Sequence, residues 1–573
     1  MDDNHRLRFE LNDNPEMKTT LANSEEFMAP SNSTALENAF PKEIHRASDL
    51  LMSVSVHADT YKTKIINLSV AAMEELEQMA LEQEPLWLFN VDRRAEVLNA
   101  VEYKNRFEPL DAALEEIIGM IKMGRPIELA SFNYTNAEVP NDNGSESSLP
   151  MENGPTPPLE TEASRASGVV FMNPIDLVNM FMDVDQWSIV FTNIVSKATV
   201  LGVVTKGELG NPNGAVQVMK AEFHVPSPLV QTREIYFARY SRRLSLNSWI
   251  VVDVSLESIF PNPMIKCRRR PSGCLIRGTP DGFSKVTWVE NNEVDNRSVQ
   301  TMFSRLISSG SAFGANRWLT TLERQCDRLA IHLDDRVTRG GATSLLKLAE
   351  RMVRCFNWNV SASTENPWRP LTVPGAEDIL VRTSCNLDDP GTPRGVAITF
   401  ATSVWLPVPP ENVFDFLCCG KCRSQWDILT SGRVTREILS IPTGRDPANT
   451  ISLVMVEPVP SKMTMLYVQE SFSDSTGYYI AYAPVDILAT NSILDSGDPD
   501  RVELLASGFS VLPDGRSIVG ENGTSGSLLT LLFQTLDEHI STPEYLPSVS
   551  VVTIYRVITE TVSRIKGCVG IQA

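Results

Sequence analysis

Two matching stretches of sequence decide the fold. The first reads PIDLVNMF over Pro174–Phe181 and is followed by a Gln-Trp pair that ends at Trp187. The second reads PENVFDFL over Pro410–Leu417 and is followed by a Gln-Trp pair that ends at Trp426. Each stretch predicts a helix that begins at a proline, because proline is well tolerated in the first turn of a helix. The repetition indicates that the chain consists of two diverged copies of one unit.

The first half of the chain combines two helical patterns with a series of alternating segments. Apolar residues recur at three- and four-residue steps from Ile65 to Met79, and again from Ala315 to Leu329, which predicts two amphipathic helices. Alternation that favours strands covers residues 168–172, 215–225, 234–241, 249–256, 273–277 and 283–291. This order predicts an antiparallel meander that is closed by the second helix.

The second half of the chain repeats this order of predicted helices and strands. A helical pattern runs from Leu345 to Phe356, and strand-like segments follow at residues 378–384 and 395–405. Near the C-terminus, a strand-like segment at 548–555 leads into a helical segment at 556–566. We therefore predict an α+β fold with two tandem units, each an antiparallel sheet closed by a C-terminal helix.

Two stretches are poor in residues that could form a core. Residues 1–63 contain six Lys or Arg against eleven Asp or Glu and no tryptophan, and we expect an acidic, disordered tail. Residues 133–167 are rich in Asn, Ser, Pro, Glu and Gly, which predicts a solvated loop insertion. These boundaries place the first unit at residues 64–331 and the second at 343–573.

The charge balance argues against nucleic acid as the main partner. The 573 residues include 51 basic and 71 acidic side chains, a net charge of −20, which repels phosphate backbones. The densest basic run, Lys266–Arg270, is too short to form a groove-reading helix. No window approaches about 18 uninterrupted apolar residues, so we expect no membrane span. The nine cysteines lack regular spacing, which is typical of reduced thiols.

The motifs of common enzymes are missing from the sequence. Three of the six histidines lie in the acidic tail, and no G-x-S-x-G, P-loop or H-E-x-x-H motif occurs. Cys419 and Cys422 form a C-x-x-C pair, but a zinc site would need a second pair, and none is nearby. We therefore expect no enzymatic activity, no metal site and no cofactor.

Several stretches of this chain resemble the class IV homeodomain–leucine zipper transcription factors of plants. The resemblance covers most of residues 64–573 and is most specific in AAMEEL at 71–76, GAVQVM at 214–219, VPSPLV at 225–230, RRRPSGC at 268–274, KVTWVE at 285–290, KLAERM at 347–352 and YAPVD at 482–486. It implies a START domain, which is a helix-grip lipid-binding fold, followed by a START-adjacent domain that is a second helix-grip unit.

The resemblance also implies a ligand site. START domains commonly place an Arg followed by an acidic residue on a strand that faces the pocket, and the matching pair here is Arg233-Glu234. An arginine in that place could hold a phosphate or carboxylate through two hydrogen bonds. A structural Arg–Glu pair within the sheet is the alternative. Trp187, Trp249 and Trp288 are candidate wall residues, although buried aromatic residues also serve as plain core.

Members of the family also carry a homeodomain and a zipper, for which this sequence shows no match. The first tryptophan is Trp87, and residues 1–63 contain no basic helix and no sustained heptads. We therefore expect a lipid- or sterol-sensing regulatory module that does not bind specific DNA by itself. The resemblance implies a nuclear location, with a cytoplasmic one left open, and homo- or heterodimers with related transcription factors. A lipid-transfer protein, or a factor whose DNA contacts come from a partner, are the alternatives.

Overall fold

The fold is known from a computed structural model that describes part of the chain. The described residues are 58–91, 95–107, 159–260, 266–332, 340–430, 432–457, 465–516, 525–536 and 546–570. The expected tail up to residue 57 and the expected insertion over 133–158 lie outside these ranges. Residues 58–63, which we assigned to the tail, already belong to the first helix.

The first unit is built on one antiparallel sheet of ten strands. The strands are β1 (Trp87–Asn90), β2 (Ala95–Leu98), β3 (Glu160–Val170), β4 (Val195–Glu208), β5 (Asn211–Phe223), β6 (Arg233–Ser245), β7 (Ser248–Ser255), β8 (Cys267–Arg269), β9 (Ser272–Gly278) and β10 (Ser284–Val294). The main order across the sheet is β1-β2-β3-β10-β9-β7-β6-β5-β4, and β8 pairs with β10. The helices of this unit include α1 (Ala58–Leu81), α2 (Pro174–Met182), α3 (Val184–Val190), α4 (Thr301–Ser308) and α5 (Ala315–His332).

Helices cover both faces of this sheet. Helix α1 lies on the outer face, where Ile65, Leu76 and the other apolar residues of the predicted stripe pack against outward-facing residues such as Val252. Helices α2, α3 and α5 lie on the inner face, where Phe237 and Val251 point. Successive residues of a strand point to opposite faces, so each inner and outer set follows from the alternation in the sequence.

The second unit repeats this architecture. Its strands are β11 (Arg369–Pro370), β12 (Leu380–Asn386), β13 (Gly395–Leu406), β14 (Thr435–Pro442), β15 (Thr450–Val456), β16 (Met465–Asp474), β17 (Gly477–Val485), β18 (Ser507–Pro513) and β19 (Ser527–Leu536). Their order is β11-β12-β13-β19-β18-β17-β16-β15-β14, all antiparallel. The helices are α6 (Gly341–Val360), α7 (Pro410–Cys418), α8 (Arg423–Trp426), α9 (Ile487–Leu494) and α10 (Ser548–Cys568). The prediction of two tandem α+β units is confirmed.

Two local predictions are wrong. Residues 160–167 are not part of a loop, because they form most of β3 and pair with β10 from Glu160 to Val170. Their polar side chains hid the strand. Buried Arg165 pairs with Glu96, donates to the carbonyls of Met79 and Glu82, and lies 5.1 Å from the ring centre of Trp87. Residues 548–555 are helical rather than extended. The run SVSVVTIY, which is rich in β-branched residues, forms the first two turns of α10.

The two units share a continuous core around helix α5. One side of α5 faces the inner face of the first sheet through Trp318 and Leu322. The other side meets the outer face of the second sheet, where Arg324 lies 4.2 Å from the ring centre of Phe472. Helix α5 is therefore enclosed between two sheets.

Candidate ligand-binding interior of the first unit

Three stacked tryptophans occupy the space between α5 and the first sheet. Trp318 of α5 lies between Trp187 of α3 and Trp288 of β10, with ring centres 5.9 and 5.3 Å away and interplanar angles of 14° and 11°. Phe191 and Phe223 contact the Trp318 ring at 4.9 and 5.3 Å. Trp187 and Trp288 lie in this interior, and their role as walls of a ligand site stays a prediction. In the present structure their rings pack against protein.

A network of buried charges lies beside this aromatic stack. Arg239 on β6 donates two hydrogen bonds to Asp253 on β7, at 2.8 and 2.9 Å. Arg269 on β8 donates two to Glu290 on β10, at 2.5 and 2.9 Å. The Nε atom of Arg269 is also 3.5 Å from Asp253, which joins the two pairs. All four side chains are at most 4% exposed, so the inner face holds two cations and two anions that water hardly reaches.

The surrounding groups keep these charges in place. The indole of Trp288 donates to Glu290 at 2.8 Å, and the Arg239 guanidinium lies 4.0 Å from the ring centre of Trp187, a cation–π distance. Burial acts to lower the pKa of Arg269, but the carboxylates of Glu290 and Asp253 outweigh it and raise the pKa above its usual value. The Arg269 guanidinium therefore stays charged despite its burial.

One polar side chain on the inner face of the sheet has a hydrogen-bond acceptor without a partner. Gln217 on β5 lies directly opposite Arg239 in the β5–β6 register. Its Nε2 atom donates to the carbonyl of Met182 at 3.0 Å, whereas its buried Oε1 atom has no hydrogen-bond partner among the described residues. A buried acceptor without a partner costs about 1–3 kcal/mol, so a donor from a ligand would be favourable here.

The Arg233-Glu234 pair is split by the pleat of β6. Arg233 donates to Glu162 at 2.7 and 2.9 Å and to Asn296 at 3.1 Å. Its guanidinium lies 3.7 Å from the ring centre of Phe313. Glu234 points to the other face and pairs with Lys220 at 2.6 Å. The two residues are not brought together, so they cannot act as one clamp, and each remains a separate prediction.

The third tryptophan of the prediction, Trp249, is also buried within the interior core, at 4% exposure. It lies on β7, four residues before Asp253 and therefore on the same face of the strand.

The charge network itself was missed in the sequence. A signal was present, because Arg239 and Asp253 each interrupt a run of apolar strand residues, YFARY and VVDVS, at positions whose neighbours two residues away are core. Isolated charges at inward positions of a strand require partners. Which charges pair could not be read from the spacing, because the partners lie on different strands.

Family models match both units. The START domain model matches residues 139–328, which contain the stack and the network. A model described as the PDF2-like C-terminal domain matches residues 338–571. These matches agree with the helix-grip arrangement of each unit.

Relatives of known family cover most of the chain. The homeobox-leucine zipper protein GLABRA 2 of Arabidopsis thaliana is 34% identical over 552 residues, which is 92% of this chain and 68% of that protein. The chain belongs to the class IV homeodomain–leucine zipper family. HDG3 of Arabidopsis thaliana, another family member, is 41% identical over 79% of this chain and 64% of its own length. ROC4 of Oryza sativa subsp. japonica is 36% identical over 89% of this chain and 62% of its own length.

The chain covers only part of several of these relatives. It spans 61%, 64% and 62% of three family members, HDG1, HDG3 and ANTHOCYANINLESS 2, all from Arabidopsis thaliana. Among the residues that the structure describes, no helix is long and apolar enough to cross a membrane.

Solved structures resemble parts of the chain at low identity. Human STARD10 is 16% identical with a TM-score of 0.21, over 35% of this chain and 72% of that one. Human StAR-related lipid transfer protein 5 is 13% identical with a TM-score of 0.23, over 39% of this chain and all of that one.

Proposed function

We propose that this chain is a ligand-binding regulatory module of its transcription-factor family. Its START unit would hold a lipid or sterol-type molecule, and the bound state would change how the protein acts on transcription through a partner. The observation that carries this proposal is the buried charge network of the inner face, with the free acceptor of Gln217 beside it. An apolar interior with a few convergent polar groups is the usual form of a small-molecule site.

The energetics of the network support a binding role. Buried ion pairs are often no more stable than apolar residues of the same volume, because the desolvation penalty offsets the attraction between the charges. A fold that needed only a packed core could therefore use apolar residues at Arg239, Asp253, Arg269 and Glu290. Charges at these positions would serve a ligand whose polar end must be fixed inside an apolar interior.

Binding would require a change at helix α5. Trp318 occupies the volume between α5 and the sheet, so a ligand must displace this indole or shift the helix. Because α5 also packs against the second sheet, its movement would alter the contact between the two units. This route would connect ligand binding in the START unit with the position of the second unit.

The proposal extends to partners and location. We infer a nuclear protein that acts with related family members. No enzymatic step is proposed. Intermembrane lipid transfer, the alternative function, would appear as movement of lipid between vesicles at catalytic amounts of protein.

Native mass spectrometry of the full chain, before and after organic extraction, tests ligand binding directly. We expect a discrete extractable mass of lipid size, and rebinding from vesicles that contain cholesterol or phosphatidylglycerol. Gln217→Leu should weaken cholesterol binding by removing the free acceptor. Arg233→Leu should weaken phosphatidylglycerol binding, because only the anionic headgroup would use the guanidinium.

Circular dichroism and thermal unfolding would show that both variants fold. An apo mass, together with no thermal shift against either lipid, would contradict the proposal and favour a filled core. Unchanged binding in both variants would contradict the assigned polar contacts.

A further inference from the structure

A cleft of about 950 Å³ opens in the second unit, with helix α10 on one side and β13 and the segment before β12 on the other. It lies far along the chain from the START interior and is separate from the charge network. Ligand cavities of drug-sized molecules have volumes of about 300–1,000 Å³, so the cleft is large enough for a whole small molecule.

One wall of the cleft is a strip of helix α10 with two chemical characters. Residues four apart lie on the same face of a helix. Ile558, Val562 and Lys566 form an apolar row that ends in an ammonium group, and Tyr555, Thr559 and Ser563 form a parallel row of hydroxyl groups. All six line the cleft. The helix therefore presents an amphipathic surface to the space, rather than the purely apolar surface of a packed core.

The opposite wall comes from the sheet and the segment before β12. Val404 supplies partly exposed apolar surface, whereas Ile379 and Thr402 lie beneath it at 2% and 1% exposure. The Thr402 hydroxyl donates to the carbonyl of Asp378 at 3.1 Å, which ties β13 to the segment before β12. Two walls made of a straight helix and a strand surface form a slot, and a slot suits a flat, rigid molecule.

Gly567 keeps one end of the slot open. It lies in the last turn of α10, where glycine costs about 1 kcal/mol relative to alanine. Its backbone does not have a positive φ, and an added Cβ would meet no atom within 4 Å. Neither backbone conformation nor crowding therefore requires glycine here. The absence of a side chain leaves volume that belongs to the cleft.

The charges at the cleft favour a neutral ligand. Lys566 and Asp378 both line it, so the local net charge is about zero. The net charge of the whole chain is −20, which disfavours an anion in a site that is partly open to solvent. In the hydroxyl row, Thr559 donates to the carbonyl of Tyr555 at 2.7 Å and can accept from an alcohol, whereas the exposed Ser563 can both donate and accept.

We propose that the second unit carries its own ligand site in this cleft, and that the site binds a neutral, sterol-sized polycyclic alcohol. The ring system lies against Val404 and Val562, the half-buried apolar residues of the two walls. The ligand hydroxyl exchanges hydrogen bonds with Thr559 or Ser563. This site is additional to the START interior and does not depend on ligand binding there.

Photolabelling of the full chain with a diazirine-bearing cholesterol analogue tests the proposal, because peptide mapping separates the two units. We expect label on peptides from residues 548–570. Gly567→Leu should reduce this label at least tenfold, since the leucine side chain enters the slot. The variant should fold normally, because leucine is a better helix former than glycine.

Val549→Leu is the matched control, because it adds leucine to an exposed position of the same helix outside the cleft. It should label as the unchanged protein does. Label of equal strength in Gly567→Leu, or label confined to the first unit, would overturn the proposal. Absence of label throughout would also overturn it, and would indicate that another part of the chain fills the cleft. If cis-parinaric acid binds in a manner lost in Lys566→Met while the sterol does not bind, the neutral assignment is wrong.

Discussion

The two units have the same strand order but differ in what lies behind the closing helix. Helix α5 of the first unit is enclosed by its own sheet and by the outer face of the second sheet. Helix α10 of the second unit packs on its own sheet through one side, and a cleft opens beside it. The comparison shows that a helix-grip fold does not by itself determine whether its interior is accessible. The neighbour of the closing helix decides that.

The two interiors also differ in their charges. The first contains two linked Arg–acid pairs. The second contains one such pair, Arg423 with Asp427 at 3.0 Å, and Arg423 also donates to Gln469 at 2.8 Å. Its guanidinium lies 4.5 and 4.6 Å from the ring centres of Tyr467 and Tyr482. A buried arginine against aromatic rings is therefore common to both units, whereas the linked network is found in the first.

Removing the central indole of the first interior should have the largest effect. Trp318→Ala removes the ring that stacks on two others, and we expect a loss of about 3–5 kcal/mol in the free energy of unfolding. Val562→Ala, in the half-open wall of the second unit, should cost less than about 1 kcal/mol because the side chain is only partly buried. Urea denaturation of both variants measures the difference. Equal losses would mean that the two interiors are packed alike.

Breaking the charge network should have the second-largest effect on stability. Asp253→Asn leaves Arg239 and Arg269 with one carboxylate between them, and we expect a loss of about 3 kcal/mol, near the lower limit for a broken buried pair. In the second unit, Asp427→Asn should cost less, because Arg423 keeps its bond to Gln469. Denaturation midpoints of the two variants test this order. A larger loss from Asp427→Asn would show that the network is less important than its geometry suggests.

Acid should destabilise the first unit through one histidine. Burial lowers the pKa of His224 from 6.5 to about 4, while its ring bonds the carbonyl of Thr192 at 3.0 Å. The unfolded chain therefore takes up a proton between about pH 6.5 and 4 that the folded chain does not, so stability falls as the pH falls. The loss at pH 5 should be about 2 kcal/mol.

The matched variant is His224→Gln, which cannot titrate. Its stability should fall less than that of the unchanged protein when the pH is lowered from 7.5 to 5, as measured by urea denaturation at each pH. Identical pH dependence in the two proteins would show that His224 is not buried in its neutral form.

The smallest expected effect is an increase in stability. Gly567→Ala should stabilise the protein by at most about 1 kcal/mol, because alanine favours the helix and its Cβ meets open space. Gly508→Ala is the contrasting change, because its Cβ would lie 2.2 Å from the carbonyl oxygen of Ile480 and 2.9 Å from the ring of Phe356. Thermal unfolding of the two variants should therefore move in opposite directions. A loss in Gly567→Ala would argue that the wall of the cleft is already crowded.

Much of the fold could be predicted because the signals were local. The proline-started helices before Trp187 and Trp426, and the apolar stripe from Ile65 to Met79, depend on neighbours within a few residues. The first part of strand β3, residues 160–167, could not be predicted in the same way, because Arg165 is stabilised by a carboxylate 69 residues away. The helical start of α10 was missed because β-branched residues favour strands in isolation, and packing against the second sheet outweighs that preference.

The sequence by itself determined the class of fold, the duplication and the aromatic character of the first interior, because periodicity and residue type act over short distances. Only the tertiary structure decided which charges pair, since Arg239 meets Asp253 through strand register. It also decided that Arg233 and Glu234 separate, and that α5 is enclosed while a cleft opens beside α10. These features depend on contacts between residues that are distant in the chain, and such contacts are set by packing rather than by local pattern.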